Sequence, residues 1–161
     1  VFLEEQDADI VALSEHWKSL EQLLTYQLNG YKLISSFCRD LKKHGGCALL
    51  WRNNLVCTIR KDFEALSVAE FFESAAIQVS LIHYILIVLC IYRLYTRPEA
   101  DVNFSFEHIA ATILDKCLAE NDRVNIAVDF NIDIVNSREK RNFQGLLDSY
   151  GVKVTTNGQL E

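Results

Sequence analysis

The sequence contains no methionine and only one proline, Pro98, and each absence restricts what the chain can be. Without a methionine, the 161 residues do not begin at a start codon, so we expect an internal piece of a longer reading frame. Long proline-rich linkers are excluded, and the first residues lack the basic and apolar regions of a signal peptide. Half of the residues are hydrophobic, which predicts one globular domain over residues 1–161.

Cysteine usage argues against a disulfide framework. The five cysteines are an odd number, and none of them forms a C-x-x-C pair. His44 and Cys47 have a spacing that could hold a metal, but no second ligand pair follows, so a zinc site is not expected. Cysteines among apolar residues predict buried, reduced thiols and a nuclear or cytoplasmic location.

The net charge of −6 argues against a general nucleic-acid binder. Basic residues nevertheless occur in three local clusters, and such clusters are ordinarily solvated surface. The clusters are Arg39, Lys42, Lys43 and His44; Arg93 and Arg97; and Arg138, Lys140 and Arg141.

Hydrophobic patterning predicts a mixture of strands and helices. Continuous apolar runs predict central strands at Ile10–Leu13, Ile85–Ile91 and Val124–Val128. Further strands are predicted at Tyr31–Phe37, Phe71–Ser80 and Val152–Thr155, with a hairpin formed by Cys47–Trp51 and Leu55–Ile59. Amphipathic spacing predicts helices over Ser19–Leu28, Ser105–Glu120 and Arg138–Tyr150. This order favours a layered α/β sandwich, with the two longer helices packed outside.

The run Leu81–Tyr92 has a second interpretation, a membrane-spanning helix. Spanning takes about 20 apolar residues, whereas this run is interrupted by His83 and closed by Arg93. It is also rich in β-branched residues, so we predict a buried strand and no membrane association.

Polar residues follow three of the predicted strands, where α/β folds collect catalytic groups. Glu15 follows the first strand, Tyr92 closes the long strand, and Asp129 and Asn131 follow Val124–Val128. Carboxylates at such positions could bind Mg²⁺, which takes one or two protein carboxylates and keeps several waters. Taken singly, an acidic residue at a strand end is more often a turn or helix-cap residue.

Five blocks of the sequence, in order, resemble motifs of one family. They are Asp9-Ile10-Val11-Ala12-Leu13-Ser14-Glu15-His16, Gly45-Gly46-Cys47-Ala48-Leu49-Leu50-Trp51, Val88-Leu89-Cys90-Ile91-Tyr92-Arg93, Ile126-Ala127-Val128-Asp129-Phe130-Asn131-Ile132-Asp133, and the stretch from Phe143 to Gly151 with Asn157. The pattern is similar to the endonuclease/exonuclease/phosphatase (DNase I-like) family, and within it to the endonucleases of non-LTR retrotransposons.

The resemblance implies a DNase I-like four-layer α/β sandwich, incomplete at both ends of this chain. It also implies Mg²⁺-assisted hydrolysis of a DNA phosphodiester, with Mn²⁺ as the alternative ion. Glu15 matches the metal ligand and Tyr92 the tyrosine that contacts the scissile phosphate. Asp129 matches the aspartate that orients the attacking water, and Asn131 the asparagine that holds the phosphate. In retroelement members the resulting nick primes reverse transcription.

The sequence departs from the family pattern in several places. Val128 replaces a glycine before Asp129, and Leu94 follows Arg93 where prolines are usual. The family's asparagine-ending first strand and its closing Ser-Asp-His block are expected outside residues 1–161, and none of the four histidines matches the family's histidine. We therefore expect a fragment with weak or no activity, and the alternative is a non-catalytic binding or decaying domain of the same fold.

Overall fold

The structure is a computed structural model that describes residues 8–26, 28–39, 44–52, 56–94, 106–120, 123–129 and 137–153. Within these ranges, strands form two sheets that pack against each other, and helices cover the outer face of one of them. We number strands and helices separately in chain order.

The first sheet contains β1 (Ile10–Ser14), β2 (Tyr31–Phe37) and β3 (Cys47–Arg52) in the order β1-β3-β2, all antiparallel. Helix α1 (Leu20–Thr25) connects β1 to β2. It begins after Ser19, whose hydroxyl accepts from the Gln22 N–H while the Gln22 side chain accepts from the Ser19 N–H. This capping box explains where the helix starts. The predicted helix reached Leu28, whereas α1 ends three residues earlier.

The second sheet contains β4 (Cys57–Ile59), β5 (Phe72–Ser80), β6 (Ile85–Arg93) and β7 (Arg123–Asp129) in the order β4-β5-β6-β7. Strands β5 and β6 form an antiparallel hairpin, and β7 runs parallel to β6. A short helix, α2 (Lys61–Glu64), lies between β4 and β5. Helix α3 (Phe106–Ala119) lies between β6 and β7, and α4 (Ser137–Ser149) follows β7.

The most apolar stretch of the sequence forms strand β6, which is covered on both faces. Its alternate side chains Ile87, Leu89 and Ile91 pack with residues of the helices, including Phe106 and Phe143. The intervening side chains Val88, Cys90 and Tyr92 pack with Cys47 and Leu49 of the first sheet. Because both faces of β6 are covered, nearly every position is apolar. The two sheets and the helices that cover the second sheet form the α/β sandwich that the sequence predicts.

The predicted hairpin between Cys47–Trp51 and Leu55–Ile59 is wrong. Strand β3 pairs with β1 and β2 on its two edges, whereas β4 pairs with β5 in the other sheet. The chain therefore crosses between sheets at this point. The cause is burial: the β3 residues Cys47 to Leu50 are enclosed on both faces, which a two-stranded hairpin cannot provide.

Two further strand predictions need correction. Of the three runs expected to be central, only β6 lies inside its sheet, since β1 and β7 each end a sheet of the described strands. The β1 run is only partly covered, with Val11 its one buried residue. Val152 and Lys153 are not in a strand, and the rest of the predicted Val152–Thr155 strand lies outside the described residues.

The Leu81–Tyr92 run is not a helix, because strand β6 begins at Ile85 and pairs on both edges. In the described ranges, no helix has the length and apolar character needed to cross a bilayer. All five cysteines lie in the described ranges and are free thiols.

Candidate active site

Glu15 lies directly after β1, in a turn that bends sharply away from the strand. Its φ of +51° and the φ of +55° at Trp17 are in the left-handed region, which side chains larger than Asn rarely adopt. The end of β1 is tied to β6, because the Cys90 thiol donates to the Leu13 carbonyl oxygen over 3.4 Å. The turn therefore holds Glu15 at the end of the sandwich, with its side chain exposed.

Tyr92 meets Glu15 across the two sheets. Its side chain is 2% exposed, and its hydroxyl donates to Oε1 of Glu15 over 2.5 Å. The two residues are 77 positions apart in sequence. Within the described part of the chain, the second Glu15 carboxylate oxygen accepts no hydrogen bond, so this oxygen can take a further ligand.

Asp129 lies at the same end of the fold. Strands β6 and β7 are parallel, and Tyr92 and Asp129 are paired in register as the last members of the ladder. Paired strands lie about 4.8 Å apart, which puts the backbone at Asp129 beside that at Tyr92. Asn131 lies outside the described residues. The structure thus brings three of the four predicted positions to one end, while their roles stay a prediction.

A buried carboxylate that the sequence analysis missed lies beside these residues. Glu73 is fully buried and is paired in register with Tyr92 across β5 and β6. It forms an ion pair with Nε of Arg39 and accepts from the N–H groups of Gly46 at 2.6 Å and Glu70 at 3.1 Å. One signal could have found it. Residue 73 has the same parity as the inward-facing Ala75, Ile77 and Val79 of the predicted strand.

The Gly45-Gly46 turn contacts both Glu73 and the segment that follows Glu15. Gly45 and Gly46 have φ values of +98° and +89°. A Cβ at Gly45 would collide with the Arg39 guanidinium, and one at Gly46 with the His16 imidazole. Both positions therefore require glycine for conformation and for space. The Trp17 N–H donates to the Gly45 carbonyl oxygen over 3.1 Å, which joins the turn to the Glu15 segment.

His16 fills the space above Gly46. Its Nδ1 accepts from the Lys18 N–H and its Nε2 donates to the Phe37 carbonyl oxygen, both over 3.1 Å. These contacts require the neutral tautomer with the proton on Nε2. Burial of the ring lowers the pKa of His16 below its ordinary value of 6.5. His16 thus has a structural place next to Glu15, with both ring nitrogens engaged.

The structure shows the positions of some residues of the predicted basic clusters, and of His44 and Cys47, whose spacing could have held a metal. Arg39 is an inward partner of Glu73 rather than solvated surface, whereas Lys42 and Lys43 lie outside the described residues.

His44 is exposed and contacts the Trp17 ring edge-on at 4.9 Å between centroids. Cys47 instead packs with Cys90 in the core, and this contact, together with burial, raises the pKa of the Cys47 thiol. Among the residues that the structure describes, no three His, Cys, Asp or Glu side chains form a metal cluster.

Comparison with one solved structure supports the fold, and a second, weaker superposition adds no support. The endonuclease domain of TRAS1, a telomere-specific non-LTR retrotransposon, superposes with a TM-score of 0.62 at 11% identity, covering 98% of this chain and 65% of that domain. The catalytic domain of Xenopus laevis APE2 superposes with a TM-score of 0.47 at 18% identity, covering 81% of this chain and 52% of that one. The chain therefore spans less than two thirds of either domain. No family model and no curated protein sequence matches the chain. The predicted DNase I-like α/β fold is confirmed.

Proposed function

We propose that this chain is part of a metal-dependent DNA endonuclease of the retrotransposon type, with Glu15, Tyr92, Asp129 and Asn131 at its active site. The observation that carries the proposal is the hydrogen bond between Tyr92 and Glu15 at the strand ends, beside the end of β7. It joins an acid and a phenol from distant parts of the sequence, on a fold similar to that of a retrotransposon endonuclease domain.

Glu15 is suited to hold Mg²⁺ or Mn²⁺. Its carboxylate is exposed, and one oxygen is fixed by Tyr92 while the other is open within the described residues. A hydrated hard cation needs only one or two such protein oxygens. When bound, the ion supplies charge stabilisation for a phosphoryl oxygen.

The other residues act on the phosphodiester and on water. The Tyr92 ring is buried and Glu15 holds its hydroxyl at the site. The single hydroxyl proton would be donated to a phosphate oxygen in place of Glu15 once the carboxylate binds a cation. In the proposed mechanism, Asp129 orients the attacking water and Asn131 donates to the phosphate. Hydrolysis breaks one P–O bond of the DNA backbone and leaves a nicked strand.

The proposed activity is weak, because none of the four histidines matches the family's histidine, which would accept a proton at this site. His16 has both ring nitrogens engaged, and His44 contacts Trp17. His83 lies in the β5–β6 turn, and His108 lies in α3. A missing proton-transfer group typically lowers the rate by about 10²–10⁴-fold.

The test is a supercoiled-plasmid nicking assay with Mg²⁺ on the purified chain. We expect slow nicking that disappears with EDTA and falls to background in Glu15→Gln and Asp129→Ala. Equal nicking by the parent and both variants would mean that the activity comes from a contaminant, and the proposed site would be wrong. Rapid nicking that Asp129→Ala abolishes would contradict the proposal of weak activity.

The second candidate function is a non-catalytic binding domain of the same fold. The lack of a counterpart to the family's histidine among the four in this chain favours it. The same samples distinguish the two functions, since a binding domain retards labelled DNA in a gel without Mg²⁺-dependent nicking.

A further inference from the structure

We infer that Glu73 is a positioning residue for Glu15, acting through the Gly45-Gly46 turn. The consequence for metal binding rests on the proposed function, whereas the mechanical link between Glu73 and the Glu15 segment does not. Glu73 contacts neither Glu15 nor the proposed ion, so its role is to hold backbone in place.

The environment of Glu73 shows why a carboxylate is needed there. Its side chain is 1% exposed, and the paired Arg39 side chain is 7% exposed. Two carboxylate oxygens serve three donors, namely Arg39 Nε, the Gly46 N–H and the Glu70 N–H. A buried charge persists only when it is paired and hydrogen-bonded in this way. A neutral side chain could not both satisfy the two backbone donors and neutralise Arg39.

The link from Glu73 to Glu15 passes through hydrogen bonds and close packing. Glu73 fixes the Gly46 N–H, and the Gly45 carbonyl oxygen accepts from Trp17. The His16 ring lies so close to Gly46 that no Cβ fits between them. On the preceding side, Ser14 is paired in register with Cys47. Both neighbours of Glu15 are therefore anchored to residues 46 and 47, next to the Glu73 carboxylate.

The same residue also flanks the other partner of the Glu15 hydrogen bond. Glu73 and Tyr92 are directly paired across the β5–β6 ladder. Glu73 thus adjoins both the turn that holds Glu15 and the strand that carries Tyr92. A shift of this carboxylate changes the separation between the Tyr92 hydroxyl and the Glu15 carboxylate, which must stay near hydrogen-bond length.

A second observation, at Arg39, indicates that the Arg39–Glu73 ion pair is not optimised for stability alone. Its Nη2 is buried and has no hydrogen-bond partner among the described residues. Native proteins rarely leave such a group unpaired. An ion pair kept despite an unsatisfied donor fits a residue pair that holds a specific backbone geometry.

Trp17 provides a reporter that needs neither metal nor activity. The chain has two tryptophans, and Trp51→Phe leaves Trp17 alone, two residues from Glu15. In that background we compare Glu73→Gln with Ser74→Ala. Ser74 is the matched control, because it is equally buried and adjacent on β5 but binds Ser67 and the Phe63 carbonyl on the opposite face.

Two measurements are made on the full chain. Steady-state anisotropy of Trp17 should fall in Glu73→Gln and stay at the parent value in Ser74→Ala. Mn²⁺ affinity, measured from the free-ion EPR signal, should weaken about 10–100-fold in Glu73→Gln, the usual effect of removing a support behind a metal ligand. It should be unchanged in Ser74→Ala.

The outcomes separate the inference from the proposed function. Unchanged Trp17 anisotropy in folded Glu73→Gln overturns the inference, as does an equal fall in Ser74→Ala. If the parent binds no Mn²⁺ and nicks no DNA, the proposed function fails, and the anisotropy comparison still decides the role of Glu73. If Glu73→Gln does not fold, the double variant Arg39→Met/Glu73→Met removes both buried charges at similar volume. Its Trp17 anisotropy must fall, and a parental value overturns the inference.

Discussion

Two buried polar clusters begin at adjacent positions of β5 and differ in almost every other respect. The charged cluster contains Glu73, Arg39, Gly46 and Glu70, and it lies on the face of β5 that meets the first sheet. The hydroxyl cluster contains Ser74, Ser67 and the Phe63 carbonyl, and it joins β5 to α2. Strand alternation alone sends the two side chains in opposite directions.

The difference concerns the backbone that each cluster supports. The hydroxyl cluster closes the short connection from α2 to β5 through neutral hydrogen bonds alone. The charged cluster holds a turn with two consecutive positive φ values, beside a segment with two more at Glu15 and Trp17. Irregular backbone of this kind persists only when its surroundings over-determine it. The strongest buried interaction therefore lies where the local conformation is least favourable.

Among variants that test the contrast between the two clusters, Arg39→Met should cause the largest loss in the free energy of unfolding. Removing the cation leaves the Glu73 carboxylate buried without its neutralising partner, so we expect a loss of about 3–5 kcal/mol in the free energy of unfolding. Urea denaturation measures it. The double variant with Glu73→Met should recover part of the loss. A single-variant loss below about 1 kcal/mol would mean that the ion pair contributes no more than one on the surface.

Ser74→Ala should have a smaller effect of a different kind. The variant leaves the Phe63 carbonyl oxygen without the Ser74 hydroxyl that donates to it over 3.1 Å. A buried acceptor that loses its donor costs about 1–3 kcal/mol. The same urea series measures this loss. A nicking rate that fell along with stability would contradict the separation of the two clusters.

The stability of the chain should depend on pH, because burial of the His16 ring lowers its pKa. Its pKa is lowered in the folded chain, so on acidification the unfolded chain takes up this proton first. Stability from this residue is complete above the ordinary pKa of 6.5 and declines as the pH falls through it toward the lower folded value. Unfolding titrations at successive pH values measure the slope, which His16→Gln should flatten. An identical slope in that variant would contradict the assignment.

The smallest expected effect belongs to the ion pairs of Asp62 in α2, whose side chain is 40% exposed. Asp62 accepts from Arg60 and Lys116, and the Arg60 hydrogen bond holds the pKa of Asp62 below its usual range. Exposed pairs contribute only about 0.2–1 kcal/mol, and salt screens them. Asp62→Asn should therefore destabilise the chain slightly in dilute buffer and less in 1 M NaCl. A loss equal to that of Arg39→Met would remove the contrast between buried and exposed charge.

Local sequence signals predicted individual elements well. Strand β2 has the predicted bounds Tyr31–Phe37, and α3 and α4 each lie within one residue of their predicted ends. These elements have patterns that depend on one covered face. The β3–β4 hairpin failed because strand partners depend on tertiary packing, which two apolar runs and a polar turn do not specify. Helix α2 was missed because four residues are too few for a periodic signal.

The sequence predicted which residues lie at the candidate site, but it did not predict the contacts between them. The resemblance pointed to Glu15, Tyr92 and Asp129, and the common end of their strands follows from the topology. The hydrogen bond from Tyr92 to Glu15 depends on how two sheets stack, which strand patterns do not encode. Glu73 was not predicted, because a single acid in an apolar strand does not by itself indicate burial; only its parity with the inward-facing Ala75, Ile77 and Val79 does.

The left-handed backbone at Glu15 has a consequence for how the sequence tolerates variation. Asparagine and glycine adopt a φ of +51° at lower strain than glutamate does. A library randomised at position 15 and sorted only for folded protein should therefore become enriched in these two residues. A library sorted for DNA nicking should retain glutamate.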